Sequence, residues 1–204
     1  MTEVRIQRTT EKDFFRTEHI TRESFWNLYK PGCDEHLVLH NIRKSGCCIC
    51  ELDFVAVYEN EIVGHIISTK AKVVDSLNIE HEVLCVGPLS VLPEIQKKGI
   101  GSTLMNKSIA AAKELGYTAM ILFGNPAYYH RFGFKNAAEY QITTKDGQNF
   151  DPFMALELQA GSLANITGRF IYDNVYECQS ADVIEFEKKF PYKEKLVTDT
   201  QLAH

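Results

Sequence analysis

No stretch of the sequence approaches the roughly 20 consecutive apolar residues that a membrane helix requires. The first residues, MTEVRIQRTTEKDFF, are charged and lack the apolar core of a signal peptide. A cytoplasmic protein with no membrane partner is therefore expected. Its 6 cysteines then default to reduced thiols, and Asn165-Ile166-Thr167 is a chance match to a glycosylation acceptor. Long basic runs are absent too. Lys and Arg number 22 against 27 Asp and Glu, a formal charge of −5. The electrostatic footprint of a duplex binder is missing, so no nucleic-acid partner is expected, although a small anion held by a local device is allowed. Neither an internal repeat nor a low-complexity tract occurs. Cys47-Cys48-Ile49-Cys50 contains one C-x-x-C, with Cys33, His36 and His40 nearby, but the matched second pair of a zinc site does not exist. No metal is expected, and these thiols read as small buried or half-buried groups.

What is present is an ordinary globular composition. The 204 residues are 45% hydrophobic and 24% charged, which excludes whole-chain disorder, collagen and coiled coil. A chain of this length buries about 70% of the surface it exposes when unfolded, so it folds without disulfide or metal. Residues 4–6 alternate as a short strand. Thr10, with Asp13 three positions on, caps a helix over 11–26. Pro31-Gly32 breaks it, and residues 34–44 form a second, shorter helix. Residues 52–58 and 62–72 are rich in β-formers around the polar turn Glu59-Asn60-Glu61, which predicts a hairpin. A third strand covers 82–91 with Gly87-Pro88 inside it; proline cannot donate to a ladder, so pairing should break there. A helix over 99–115 carries Ile100, Leu104, Ser108, Ala111, Ala112 and Leu115 on one face, with Gly116 at its C-terminal cap. Then follow a strand over 119–123, one or two helical turns over 128–132, and β-like stretches near 138–144 and 153–158. This order predicts an α/β or α+β layered sheet. Farther on, residues 168–176 read as β-like. Ser180 caps a helix with Val183, Phe186 and Phe190 on one stripe, and the polar residues 193–204 should fray.

The chemistry concentrates in residues 89–102, Leu-Ser-Val-Leu-Pro-Glu-Ile-Gln-Lys-Lys-Gly-Ile-Gly-Ser. This segment runs from a strand through a glycine-containing loop into a helix N-terminus. The first amides of a helix have no internal partner, and its dipole places about half a positive charge there, so that end attracts phosphate. Glycine permits close approach of a ligand to the backbone, and Lys97 and Lys98 add positive charge. The P-loop pattern Gly-x-x-x-x-Gly-Lys-Ser/Thr is absent, and a dinucleotide-binding fingerprint fails because Leu104 stands at its third position.

Two motifs in order carry a resemblance. Gln96-Lys97-Lys98-Gly99-Ile100-Gly101, led in by Val91-Leu92-Pro93-Glu94, and Tyr128-Tyr129-His130-Arg131-Phe132-Gly133-Phe134 are similar to the two hallmarks of the GNAT superfamily of acyl-CoA-dependent N-acyltransferases. The resemblance covers about residues 3–158, most nearly to bacterial members, and leaves 160–204 unexplained. It implies a mixed, mostly antiparallel central sheet with a splayed strand pair and flanking helices. Residues 1–159 would form the acetyltransferase domain, and 160–204 an extension packed on it or on a partner subunit. It implies acetyl-CoA as co-substrate, a small-molecule or peptide amine as acceptor and, since many members are dimers, room for a homodimer. By that resemblance the amides of Gln96, Lys97, Lys98, Gly99, Ile100, Gly101 and Ser102 cradle the pyrophosphate. Leu89, Ser90 and Val91 pair with the pantetheine like another strand, the amide near Val91 stabilises the oxyanion, Asn125 contacts CoA, and Tyr129 protonates the leaving thiolate.

An amine must be neutral to attack a thioester, and lysine-type amines have a pKa near 10. A base is therefore expected beside the acceptor, with Glu51, Asp53, Glu82 and His65 as candidates. Glu82, on the bulged strand, joins Tyr129 and the Val91 amide as the expected catalytic set. The acceptor cleft is expected between segments carrying Asp34, Glu35, Glu51 and Asp53, which favours a cationic amine or basic peptide end. Cys85 lacks the histidine and carboxylate of a nucleophile, and transfer should be direct, in a ternary complex. Phe14, Phe15, Phe25 and Trp26 read as core or acceptor wall. His130 and Arg131 read as exposed faces of a short helix, with contact to CoA as the less favoured alternative. The competing reading is a non-catalytic acyl-CoA-binding or sensor module; a retained Tyr129 favours the enzyme.

Overall fold

Runs of β-branched and aromatic residues build the centre of the sheet. In the computed structural model, which describes residues 3–201, β1 (Arg5–Arg8) pairs antiparallel with β2 (Cys48–Tyr58), β2 with β3 (Glu61–Val74), and β3 with β4 (Glu80–Val91). The hairpin closes at Tyr58↔Glu61, with Glu59 and Asn60 in the left-handed region at φ 52° and 66°. Further along lie β5 (Ala119–Phe123), β6 (Lys135–Asn136), β7 (Ile142–Thr143), β8 (Phe153–Glu157) and β9 (Gly168–Ile171). The main path of the sheet is β1-β2-β3-β4-β5-β8-β6, with β9 joining β3 to β7. Two pairings are parallel, β4 with β5 and β7 with β9.

The β4–β5 pairing is short: Leu84↔Met120 and Cys85↔Ile121. Gly87 and Pro88 follow at once. Opposite them the β3–β4 register shifts between Ile66 and Ser68, so the strand bends and leaves β5. The opening between the two strands is where the site forms.

Among the described residues five helices flank the sheet: α1 (Phe14–Phe25), α2 (Glu35–Ile42), α3 (Ile100–Glu114), α4 (Pro126–Tyr129) and α5 (Ser180–Glu187). Ahead of α1 runs a 3-10 turn, Glu11–Asp13, where the Thr10 amide donates to Asp13 Oδ2 at 2.9 Å. On one face of the sheet Ile100, Leu104, Met105 and Ala112 of α3 pack on Phe54, Ala56, Ile66 and Leu84. On the other, Val73, Val83, Ile121 and Phe153 enclose Phe170, which is fully buried. Phe170 belongs to β9, so a strand from beyond residue 160 lies in the same sheet, paired to β3 at Val73↔Phe170. Phe186 and Phe190 close on Leu37 of α2. No helix among the described residues is long and apolar enough to cross a membrane.

Four expectations need correction. Ser180 is the first residue of α5 and supplies no side-chain cap; Gln179 holds the cap position. Residues 138–144 are mostly a 3-10 turn, Ala137–Tyr140: Asn136 Oδ1 accepts the Ala138 amide at 2.8 Å and Gln141 turns left-handed at φ 56°. The strand read over 168–176 stops at Ile171, because Asp173 Oδ1 takes the Val175 amide at 3.0 Å and winds the turn Asn174–Tyr176. Finally, residues 193–201 do not fray. Glu194 O accepts Trp26 Nε1–H at 2.8 Å, the Leu196 amide donates to Asn27 Oδ1 at 3.1 Å, and Thr198 Oγ1 and Gln201 Nε2 both donate to Asn27 O, at 2.8 and 3.1 Å. This strap holds the loop after α1. Residues 202–204 of that expectation lie outside the described residues.

Candidate active site

The opening between β4 and β5 continues into a cleft of about 980 Å³. Its floor is the free edge of β4. The Leu92 amide donates to Val63 O at 2.9 Å, so by strand alternation the N–H and C=O of Val91 point away from β3, and those of Leu89 do likewise. No strand among the described residues covers that edge, because β5 pairs only as far as Cys85. Val91 O is taken by Ser24 Oγ at 2.8 Å and Gln96 Nε2 at 3.0 Å. The Leu89 and Val91 amides are left facing the cleft.

One end of the cleft is the N-terminus of α3. Lys97 and Gly99 both adopt left-handed backbone, at φ 63° and 83°, which turns the loop so that Gly99, Ile100, Gly101 and Ser102 line the cavity. A Cβ on Gly99 would meet nothing within 4 Å, whereas one on Gly101 would lie 2.7 Å from the Tyr128 hydroxyl. Gly101 therefore admits a tyrosine as well as leaving backbone bare. Lys97 and Arg131 bring positive charge to this end, Arg131 with its guanidinium 4.9 Å from the Tyr128 ring centroid.

Tyr129 stands in the middle. Its ring meets Tyr128 edge-on at 5.0 Å and Phe134 at 5.7 Å. Gly124 makes the fit feasible, since a Cβ there would come within 2.2 Å of the ring. Burial, then the neighbouring Tyr128 and Tyr29, push the Tyr129 phenol well above its ordinary value, so it stays protonated at neutral pH. Asn125 lines the cleft as well, while its Oδ1 caps α4 by accepting the Ala127 amide at 3.0 Å.

The other end has aromatic and acidic walls: Phe25, Leu28 and Tyr29 from the end of α1, Asp34 and Glu35 at the start of α2, and Tyr172 and Tyr176 from the C-terminal region. The Tyr176 hydroxyl donates to Gly87 O at 3.2 Å, at the point where β4 leaves β5. Burial, followed by the charge of Asp34, raises the Glu35 carboxyl to about 7. Cys85 lines the cleft too; burial pushes its thiol up to about 12, so it stays protonated.

Several sequence-predicted residues are elsewhere. Ser90 is 2% exposed; its backbone faces β3, and its Oγ lies 3.1 Å from Thr21 Oγ1. Lys98 turns toward the Tyr58 ring, 5.7 Å from its centroid. Glu82 lies in a separate depression with Cys47, Lys70 and Lys72. Both Glu82 and Glu51 act electrostatically on Tyr117, beyond the C-terminal end of α3 and about 22 Å from its glycine end by helix rise. Asp53 and His65 are committed to a buried cluster. His65 Nε2 lies 2.7 Å from Asp53 Oδ1, and Arg43 Nε donates to Asp53 Oδ2 at 3.1 Å. Burial works against the Asp53 charge, yet His65 and Arg43 hold its carboxyl well below the usual range. Burial also lowers His65 against the pull of Asp53. None of Glu51, Asp53, His65 and Glu82 reaches the cleft. Of the aromatic group, Phe25 is cleft wall. Arg43 covers the Phe14 ring at 4.2 Å, Phe15 stacks on Phe190, and Arg22 covers Trp26 at 4.3 Å. Sequence reasoning missed Tyr29, Tyr172 and Tyr176. Nothing in a lone tyrosine announces a cleft; the only signal was that aromatic residues beyond 160 needed somewhere to pack.

Comparison with known proteins gives this geometry a context. The uncharacterized N-acetyltransferase YhbS of Escherichia coli K12 is 26% identical over 139 residues, 68% of this chain and 80% of the relative. The YhbS fold, determined with CoA bound, superposes with a TM-score of 0.78 at 22% identity, covering 87% of this chain and 94% of that one. A GNAT acetyltransferase of Brucella melitensis, determined with acetyl-CoA, gives a TM-score of 0.70 at 22% identity over 86% of this chain and 99% of its own. At this identity these likenesses establish the fold. Residues 12–134, which run from α1 through the glycine loop to Phe134, match the acetyltransferase (GNAT) family; the chain belongs to that family of acetyltransferases.

Proposed function

We propose that the protein transfers an acetyl group from acetyl-CoA to a primary amine by direct attack within a ternary complex. The observation that carries this reading is a single cleft in which the bare β4 edge at Leu89 and Val91, the N-terminus of α3 and the Tyr129 phenol all converge. The two similar folds that hold CoA and acetyl-CoA support it. The residues fit such a ligand. The open, left-handed Gly99 and the amides through Ser102 suit a pyrophosphate, with Lys97 and Arg131 as counter-charges. The amides of Leu89 and Val91 suit an extended pantetheine arm. Acetyl-CoA supplies a thioester carbonyl. The Val91 amide, preorganised on the strand, stabilises the charge that develops on its oxygen as the amine attacks. When the C–S bond breaks, Tyr129 donates its proton to the sulfur. Cys85 takes no part, because its thiol stays protonated.

The acidic and aromatic end of the cleft favours an acceptor that arrives as a cation, either a small amine or a basic peptide end. The binder-only reading is weaker, since it leaves a buried phenol between two functional walls without a task. Free-thiol release from acetyl-CoA against a panel of amines tests the proposal. Turnover with cationic primary amines is expected. CoA binding without thiol release for any amine would favour the binder, and turnover restricted to anionic amines would remove the charge argument.

A further inference from the structure

We propose that Glu35, at the first turn of α2, is the base that takes the proton from the acceptor's ammonium group, with Tyr29 forming the wall between it and Tyr129. This rests on the preceding reading of the cleft as an acetyl-transfer site.

The choice follows from what the cleft contains. Among the described residues no histidine lines it, and only two carboxylates do, Asp34 and Glu35. Asp34 is ion-paired with Lys30. Glu35 is not paired with any cation among the described residues; its Oε2 accepts the Asp34 amide at 3.1 Å. A carboxylate held this way keeps lone pairs free for a ligand, and its backbone contact fixes its direction.

Tyr29 links the two ends of the reaction. Burial and then the Glu35 charge raise its phenol, and Tyr29 in turn acts on Tyr129. All three line one cavity, with Ser24 and the Val91 amide beside them. An amine placed along Tyr29 would lie in the cavity that Glu35, Tyr129 and Val91 also line. The proton balance then closes. The ammonium gives one proton to the Glu35 carboxylate, and the freed lone pair forms the C–N bond. The C–S bond breaks with its electron pair on sulfur, and Tyr129 protonates that sulfur. The amide nitrogen sheds its second proton, which returns to the phenolate of Tyr129, and Glu35 releases its own to solvent, so the cycle ends with one proton lost for each ammonium consumed.

Titration supports the geometry. The groups facing Glu35 are Asp34 and Lys30 from the preceding loop, Tyr29 and Cys33 from the turn after α1, and Cys178 ahead of α5. Burial and Asp34 outweigh Lys30 and the backbone amides, giving a carboxyl near 7. A base with that affinity is about half ionised at neutral pH, so a carboxylate is available while its conjugate acid still holds a proton.

Carboxyl carbon NMR of the uniformly labelled protein, compared with Glu35→Gln, is the first test and needs no acceptor. One carboxyl titrating near pH 7 and missing from the variant is expected; a Glu35 resonance titrating near the ordinary value of about 4.3 would overturn the proposal. The second is thiol release with acetyl-CoA and putrescine, phenethylamine or a lysyl peptide, whichever is fastest. In the wild type kcat should rise through pH 7. In Glu35→Gln it should fall by about 10²-fold or more, with the rising limb moved toward the amine's own pKa near 10. An unchanged rate and profile would remove Glu35. Glu35→Ala with added formate is the companion variant; partial recovery of rate is expected of a missing base, and none of a lost packing contact. Calorimetry separates the two layers. CoA should bind Glu35→Gln as it binds wild type. A wild type that does not bind CoA would remove the cleft reading itself and the proposal with it, whereas normal CoA binding with an unaltered variant removes Glu35 alone.

Discussion

Tyr129→Phe isolates a single atom. The ring environment is unchanged by the substitution: the edge-on contacts to Tyr128 and Phe134 at 5.0 and 5.7 Å and the close approach to Gly124 all involve ring carbons. Stability and fold should therefore be retained. What is lost is a phenol that burial keeps protonated across the neutral range. Since a positioned acid contributes about 10²–10⁴-fold, the chemical step should slow by that factor, about 2.7–5.5 kcal/mol in the barrier. CoA affinity should stay within a factor of about two, because the substitution leaves the α3 amides, Lys97 and Arg131 untouched. Single-turnover thiol release, with the enzyme in excess over acetyl-CoA, reads the chemical step directly and avoids a masking product-release step. A single-turnover rate within twofold of wild type would show that Tyr129 only fills space, and the general-acid assignment would fall.

Other consequences are as direct. Gly101→Glu places a side chain where the Tyr128 hydroxyl lies and a negative charge at the helix N-terminus, so CoA affinity by calorimetry should drop at least tenfold, about 1.4 kcal/mol. Asp53→Asn strands the buried Arg43 beside His65 and should cost about 3–5 kcal/mol, read as a shifted urea midpoint at unchanged slope. The folded Asp53 carboxyl is depressed, so its stabilisation is present above the unfolded value near 3.9 and is lost as pH falls through the folded one. The gap between wild type and variant should therefore close in strong acid; a gap unchanged there would show that charge is not the cause. Truncation after Glu194 removes the bonds from Leu196, Thr198 and Gln201 to Asn27. The KM for the acceptor should rise several-fold while CoA affinity holds, and equal effects on both would show that the strap supports the whole domain.

The parts of the site that are local in sequence were legible. The glycine loop and the Tyr128–Phe134 motif carry their chemistry within a few consecutive residues, and the break at Gly87-Pro88 follows from one missing N–H. Bases were not legible, because a carboxylate's role depends on which neighbours the fold supplies. Asp53 and Glu35 are both plain carboxylates in the sequence, yet one is clamped by Arg43 and His65 and the other lines a cleft with no ion-pair partner among the described residues. The family resemblance grouped Ser90 with Leu89 and Val91, whereas Ser90 faces β3 and only the other two face the opening, since the direction of the open edge is set by the partner strand. Polar composition made residues 193–204 read as frayed. In the described part of that segment, 193–201, the same polarity supplies the hydrogen bonds that fasten it.

That strap has a cost in chain topology. Its bonds to Asn27 join residues 167 to 174 positions apart, and closing a loop of that length costs about 2.5 kcal/mol more than closing one of 10 residues. Contacts so distant form late and open early. The amides of Asn27 and Leu28, bonded to Gly32 O and Phe25 O, should exchange hydrogen faster than those of β3, and equal protection would refute this. The two halves of the cleft then report different equilibria. On the proposed reading of the cleft, affinity for CoA would measure the sheet and α3, whereas apparent affinity for the acceptor would be its intrinsic value scaled by the fraction of molecules whose strap is fastened.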